Sequence, residues 1–134
     1  IQGHSRIGGE ALDIAICRVM DADDSPLAGD NSCLAFLVTA AMIARWHHER
    51  WDGTGYPDRL AGEAIPLPAR IMALADVYDA LITPRIYKPP LAHTEAVEII
   101  RAGRGTQFDP NLVQVFEGLH ESFARVAMQF REGV

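Results

Sequence analysis

The sequence predicts an all-α domain, and three observations carry that prediction. Apolar residues recur at helical intervals in five segments. No alternation of apolar and polar residues persists beyond a few positions, so no strand is expected. Stretches rich in Gly, Pro, Asp and Ser punctuate the apolar segments as turns and loops do. The length of 134 residues suits one domain of ordinary size, and a hydrophobic content of 49% suffices for its core.

The first helix is expected over Ile7–Met20, where Ile7, Leu12, Ile16, Val19 and Met20 share helical spacing, although Gly8 and Gly9 weaken its start. Asp21–Ser32 reads as an acidic connecting loop. It lacks the Asp-x-Asp-x-Asp-Gly spacing of a calcium-binding EF-hand. Cys33–His48 resumes an apolar helix and ends on His47, His48 and Glu49. Arg50–Pro66 holds Gly53, Gly55, Gly62, Pro57 and Pro66 and must be irregular. Leu67–Leu81 is a nearly continuous apolar helix, with Pro68 tolerated in its first turn. Thr83–Leu91 contains three prolines and is a loop. Thr94–Ala102 is a short amphipathic helix stopped by Gly103. Asp109 as cap and Pro110 as first residue open a last long helix running to about Arg131. No internal repeat is present.

Composition narrows the function classes. A net charge of −6 argues against binding a nucleic-acid polymer, which needs a basic face, but leaves room for a small anionic ligand held by local cations. No apolar run reaches the roughly 18–20 residues of a membrane span, and no signal peptide opens the chain. The only cysteines, Cys17 and Cys33, suggest neither a disulfide framework nor a thiolate zinc site, so a reducing cytoplasm is expected. Ile1 is not a natural start, and a fragment of a longer protein is expected.

Three histidines and two carboxylates carry the chemistry. The adjacent rings of His47 and His48 point about 100° apart on a helix, yet both can converge on one ion at a helix end. Asp76 lies in IMALADVYDALI, the most apolar helix of the chain. If buried there, its carboxylate needs a cation or a shifted pKa. Met72, Asp76, Asp79 and Thr83 form one stripe along that helix, opposite Ile71, Leu74, Tyr78 and Leu81. His4 stands at the start of a helix that could cross Cys33–His48. His93 and His120 read as ordinary structural or surface histidines. Two surface histidines and arginine-paired carboxylates remain the plain alternative for each of these groups. Histidine with carboxylate and no thiolate suits iron, manganese, nickel or zinc, and such ions suit hydrolysis of a phosphoester. Arg85 and Lys88, in the proline-rich PRIYKPP, supply a guanidinium fork and a point charge for phosphate.

HHERWDGTGYP (His47–Pro57) resembles the extended motif of HD-GYP domains, with Gly55, Tyr56 and Pro57 as the GYP. The resemblance continues through LAGEAIPLPARIMALADVYDAL (Leu60–Leu81), RIYK (Arg85–Lys88) and AVEIIRAGRGTQFDPNLV (Ala96–Val113), and so covers residues 4–118 in order. It is nearest to members found in two-component response regulators. The resemblance implies an HD-domain-like helical bundle that binds two or three metal ions, usually iron or manganese. It implies hydrolysis of cyclic di-GMP to pGpG or GMP. Carried over by position, His4, His47, His48 and Asp76 would be metal ligands, and Tyr56, Asp79, Arg85 and Lys88 would lie at the substrate. Implied partners are an upstream receiver or sensor domain and diguanylate cyclase (GGDEF) domains, and the resemblance allows a homodimer.

Three departures from the family pattern qualify this. No His-Asp pair occurs anywhere in the sequence, so the HD motif and the N-terminal helices that bear it are expected upstream, and catalysis is expected of a longer parent. The stretch from His4 to His47 is longer than in many members. Ile86 replaces a common proline in RIYK and leaves both cations in place. The rival readings are an inactive signalling module that binds cyclic di-GMP or a cyclase partner, and an HD hydrolase of another nucleotide.

Overall fold

The computed structural model describes residues 7–11, 14 and 31–132. Its regular elements are all helical: α1 (Asn31–Trp46), a 3₁₀ turn (Gly62–Ala64), α2 (Leu67–Ile82), α3 (His93–Ala102) and α4 (Pro110–Glu132). Residues 7–11 and 14 are also helical, within the expected first helix. The rest of that segment, His4 and the acidic loop as far as Asp30 lie outside the described residues. Among the described residues there is no strand, only the isolated bridges Asp52–Ala61, Arg85–Lys88 and Arg104–Phe108. The all-α class therefore holds. Helix α1 starts two residues earlier than the periodicity suggests and stops before the histidine pair, which sits in the turn behind it.

The chain divides into two compact units, Ile1–Met72 and Ala73–Val134. The first contains α1, the irregular segment and the first turns of α2. Its buried apolar side chains include Ala41, Ile65 and Ala69. Pro68 falls where a helix has no use for a backbone N–H, and the Arg70 N–H closes the first turn on the Pro66 carbonyl at 3.1 Å. Arg70 is fixed from its other end, where its Nε donates to the Ile65 carbonyl at 2.8 Å.

The second unit has a core built from three helices. Leu74, Tyr78 and Ile82 come from α2, Ala96, Val97 and Ile100 from α3, and Val113 and Phe116 from α4, with Phe108 from the α3–α4 connection. Tyr78, Phe116 and Phe123 meet edge to face, with ring centroids 5.0–5.8 Å apart, the arrangement that ring quadrupoles favour. Gly103 ends α3 and packs so closely that a Cβ there would sit 2.8 Å from the Phe108 ring. His93 and His120 belong to this packing. The Tyr78 hydroxyl lies 2.9 Å from His93 Nδ1, and His93 Nε2 lies 3.0 Å from His120 Nδ1, so hydrogen bonds link α2, α3 and α4 in series.

Helix α4 starts as the sequence suggests. The Asp109 carboxylate, buried beside the core, accepts the Asn111 N–H at 2.9 Å, and Pro110 occupies the first helical position. Asp109→Ala removes that cap and is expected to cost about 1 kcal/mol, read as a lower urea midpoint with an unchanged slope.

Candidate functional site

The first unit carries the histidine pair and the GYP segment. His47 N–H closes on the Ile43 carbonyl, and the ring follows: Nδ1 lies 2.7 Å from the same carbonyl oxygen. A carbonyl can only accept, so Nδ1 carries the proton and the lone pair is placed on Nε2. That is the tautomer a metal-binding histidine adopts when a backbone carbonyl orients it. The His47 and His48 rings lie 4.0 Å apart, tilted by 42°. His48 stacks on Tyr56 at 5.0 Å and 27°. The residue types and the fixed tautomer fit a divalent ion of the iron, manganese or zinc kind.

The GYP segment folds back beneath the pair. The Tyr56 N–H reaches the His48 carbonyl at 3.3 Å. Gly55 is buried against backbone: a Cβ there would lie 2.4 Å from the Arg50 nitrogen and 2.6 Å from Glu49 Cα and the His48 oxygen. Only glycine admits that approach. The Asp52 carboxylate takes the Thr54 hydroxyl at 2.6 Å and the Thr54 N–H at 3.0 Å. These bonds, the hydroxyl first, with the Arg50 guanidinium adding, hold its pKa below the usual carboxylate range. Stability from Asp52 is therefore present above the unfolded carboxylate pKa and is lost as pH falls through the lowered folded value.

Glu49 is the residue the sequence reading missed. It is 3% exposed, and both of its oxygens accept backbone N–H groups, Oε1 from Asp58 at 2.7 Å and Oε2 from Leu60 at 3.1 Å. Asp58 in turn accepts from Arg45 Nε at 2.8 Å and from Trp46 Nε1 at 2.7 Å. The available signal was an acid directly behind two histidines at a point where the chain had to reverse.

The second unit carries the remaining candidates. Asp76 is exposed on α2, contrary to the burial that first singled it out. Leu74, Tyr78 and Ile82 take the core side of the helix, and Asp76, Asp79 and Thr83 follow the other. Asp79 accepts the Thr83 hydroxyl at 3.2 Å. Ile71, in the first unit and named on the face opposite that stripe, is half exposed. Arg85 and Lys88 exchange both backbone hydrogen bonds at 3.0 Å, so the two cations flank a tight turn with Ile86 and Tyr87 at its tip. The Leu91 N–H bonds to the Leu81 carbonyl at 2.9 Å and closes the loop onto α2. His4 lies outside the described residues.

A family model of the HD domain matches residues 32–112. The chain belongs to the HD-domain family. The His47–Pro57 segment gives this HD domain its HD-GYP character. The HD domain is similar to a cyclic di-GMP phosphodiesterase of Vibrio cholerae serotype O1, with 49% identity over 129 residues, which are 96% of this chain and 24% of that protein. It is similar to the cyclic di-GMP phosphodiesterase response regulator RpfG of Xanthomonas campestris pv. campestris, with 46% identity over 71% of this chain and 25% of that one. A crystal structure of a cyclic GMP-AMP specific phosphodiesterase of V. cholerae (V-cGAP3) superposes with a TM-score of 0.55 at 30% identity, over 82% of this chain and 22% of that chain. The chain thus spans about a quarter of the length of these relatives. Among the described residues, no helix is long and apolar enough to cross a membrane.

Proposed function

We propose that this HD domain is the GYP-bearing part of a metal-dependent phosphodiesterase that hydrolyses cyclic di-GMP to pGpG or GMP, in the cytoplasm and within two-component signalling. The observation that carries the proposal is the His47–His48 pair, with its carbonyl-fixed tautomer, seated on an intact GYP loop. His47, His48 and Asp76 are assigned as ligands. Asp76 joins the pair on the motif, as an exposed carboxylate of α2. His4 is assigned to the same set on the motif. Iron or manganese fits a donor set of imidazole and carboxylate without thiolate.

The bound ions would polarise the phosphoryl oxygens and lower the pKa of water, as divalent ions do in phosphoester hydrolysis. The chain's own residues supply the rest. His47 and His48 enter with their rings already oriented, so little entropy is lost on binding. Arg85 and Lys88 bind phosphate, the first through a planar fork and the second as a point charge. Tyr56, through its ring and hydroxyl, and Asp79, as a hydrogen-bond acceptor, are assigned to the nucleotide on the motif. An upstream receiver or sensor domain and GGDEF-type cyclases are the partners this assignment implies, and it allows a homodimer.

The intact protein, loaded with iron(II) or manganese(II) and given cyclic di-GMP, is expected to release the linear dinucleotide, detected by chromatography. No linear product with either metal would overturn the assignment. Likeness to the V. cholerae cyclic GMP-AMP enzyme favours one second reading, hydrolysis of 3'3'-cGAMP. Competition between the two cyclic dinucleotides at equal concentration separates them: the preferred substrate suppresses turnover of the other.

A further inference from the structure

We propose that Glu49 and Asp58 are positioning residues that fix the histidine pair by clamping the chain on both sides of it; this rests on the reading of His47 and His48 as ligands. The clamp has two arms that meet at Asp58. Ahead of the pair, Arg45 and Trp46 in the last turn of α1 both donate to the Asp58 carboxylate, Arg45 through Nε at 2.8 Å and a second nitrogen at 3.3 Å, Trp46 through its indole N–H at 2.7 Å. Behind the pair, Glu49 accepts the backbone N–H groups of Asp58 and Leu60. The two histidines are therefore the only residues between one anchored segment and the other. Tyr56 lies within the loop that the clamp closes, and its ring is laid on His48.

The chemistry explains why a glutamate is needed. Two N–H donors converge on one side chain, and a carboxylate offers two acceptor oxygens where an amide offers one. Glu49→Gln would turn an NH₂ group toward one of these N–H donors, inside a site that is 3% exposed. A buried donor facing a donor is unsatisfied, so the loop must move to relieve it. That loop carries Tyr56, and its first residues follow His48 directly. Groups hydrogen-bonded to a metal ligand are worth about 10–100-fold in metal affinity when removed; Glu49 acts through the backbone instead, so the lower end of that range is expected.

The test uses this chain and two readouts. The first needs no metal: the ring-proton shifts of His48 in NMR spectra, moved upfield by the stacked Tyr56 ring, with Tyr56→Leu defining the unstacked limit. The second is the affinity for manganese(II) alone. In Glu49→Gln, the His48 shifts are expected to move toward the Tyr56→Leu values and manganese binding to weaken about 10-fold. Asp58→Asn, which weakens the other arm at a less buried position, is expected to move both readouts in the same direction by less. If the His48 shifts move in Glu49→Gln but the unaltered chain does not bind manganese, the clamp stands and the metal assignment falls. If both variants fold with native helix content and leave the His48 shifts unchanged, the clamp is wrong, whatever the metal affinity. Should Glu49→Gln fail to fold, unchanged shifts in folded Asp58→Asn overturn the proposal by themselves.

Discussion

Replacing His47 and His48 together with alanine is expected to lower cyclic di-GMP hydrolysis by the metal-loaded intact protein more than about 100-fold, because even the outer partners of a metal ligand are worth about 10–100-fold. The folded chain should survive the change. Both rings are only half-buried, and the backbone bonds of this turn, His47 N–H to the Ile43 carbonyl and Tyr56 N–H to the His48 carbonyl, do not use them. Activity should therefore fall while the thermal midpoint moves by a few degrees at most. An equal loss of both would mean that the pair is structural. The single variants separate the roles further. His47 has a carbonyl orienting its ring, and His48 has the Tyr56 ring, so each loss removes a differently supported donor.

Gly55→Ala is the most damaging single substitution expected for stability, at about 3 kcal/mol or more. The new methyl group would meet the Arg50 nitrogen, Glu49 Cα and the His48 oxygen at 2.4–2.6 Å, and all three are backbone atoms. No side chain can rotate away to make room, so the GYP loop has to lift off the turn that holds the histidines. Urea unfolding measures the loss, and a midpoint within experimental error of the unaltered chain would contradict this account of the loop. Gly118→Ala is the matched control, since nothing lies within 4 Å of a Cβ at that position.

The helices were legible in the sequence because periodicity and caps agreed. Asp109 with Pro110 marked the start of α4, and Gly103 marked the end of α3. The position of the histidine pair at a helix end was legible in the same way. Burial of Asp76 was not. An apolar helix has room for a polar stripe, and the sequence alone could not say that Leu74, Tyr78 and Ile82 would claim the core and leave Asp76 and Asp79 outward. The link from Tyr78 through His93 to His120 was hidden because its members lie 15 and 27 residues apart, and only tertiary packing joins them. Glu49 was hidden for a related reason. Its function depends on backbone N–H groups 9 and 11 residues away, and every residue offers an N–H except proline. Tyr56 came from the family motif alone, and the structure adds the physical reason for attention to it, a ring stacked on His48.

The proposed phosphodiesterase depends on His47 and His48 holding a divalent ion. Titration of this chain with manganese(II), followed by the electron paramagnetic resonance of the free ion, tests it most directly. The free-ion signal is expected to be suppressed by the unaltered chain and restored by the His47→Ala/His48→Ala double variant. A free-ion signal that is the same with both proteins would contradict it.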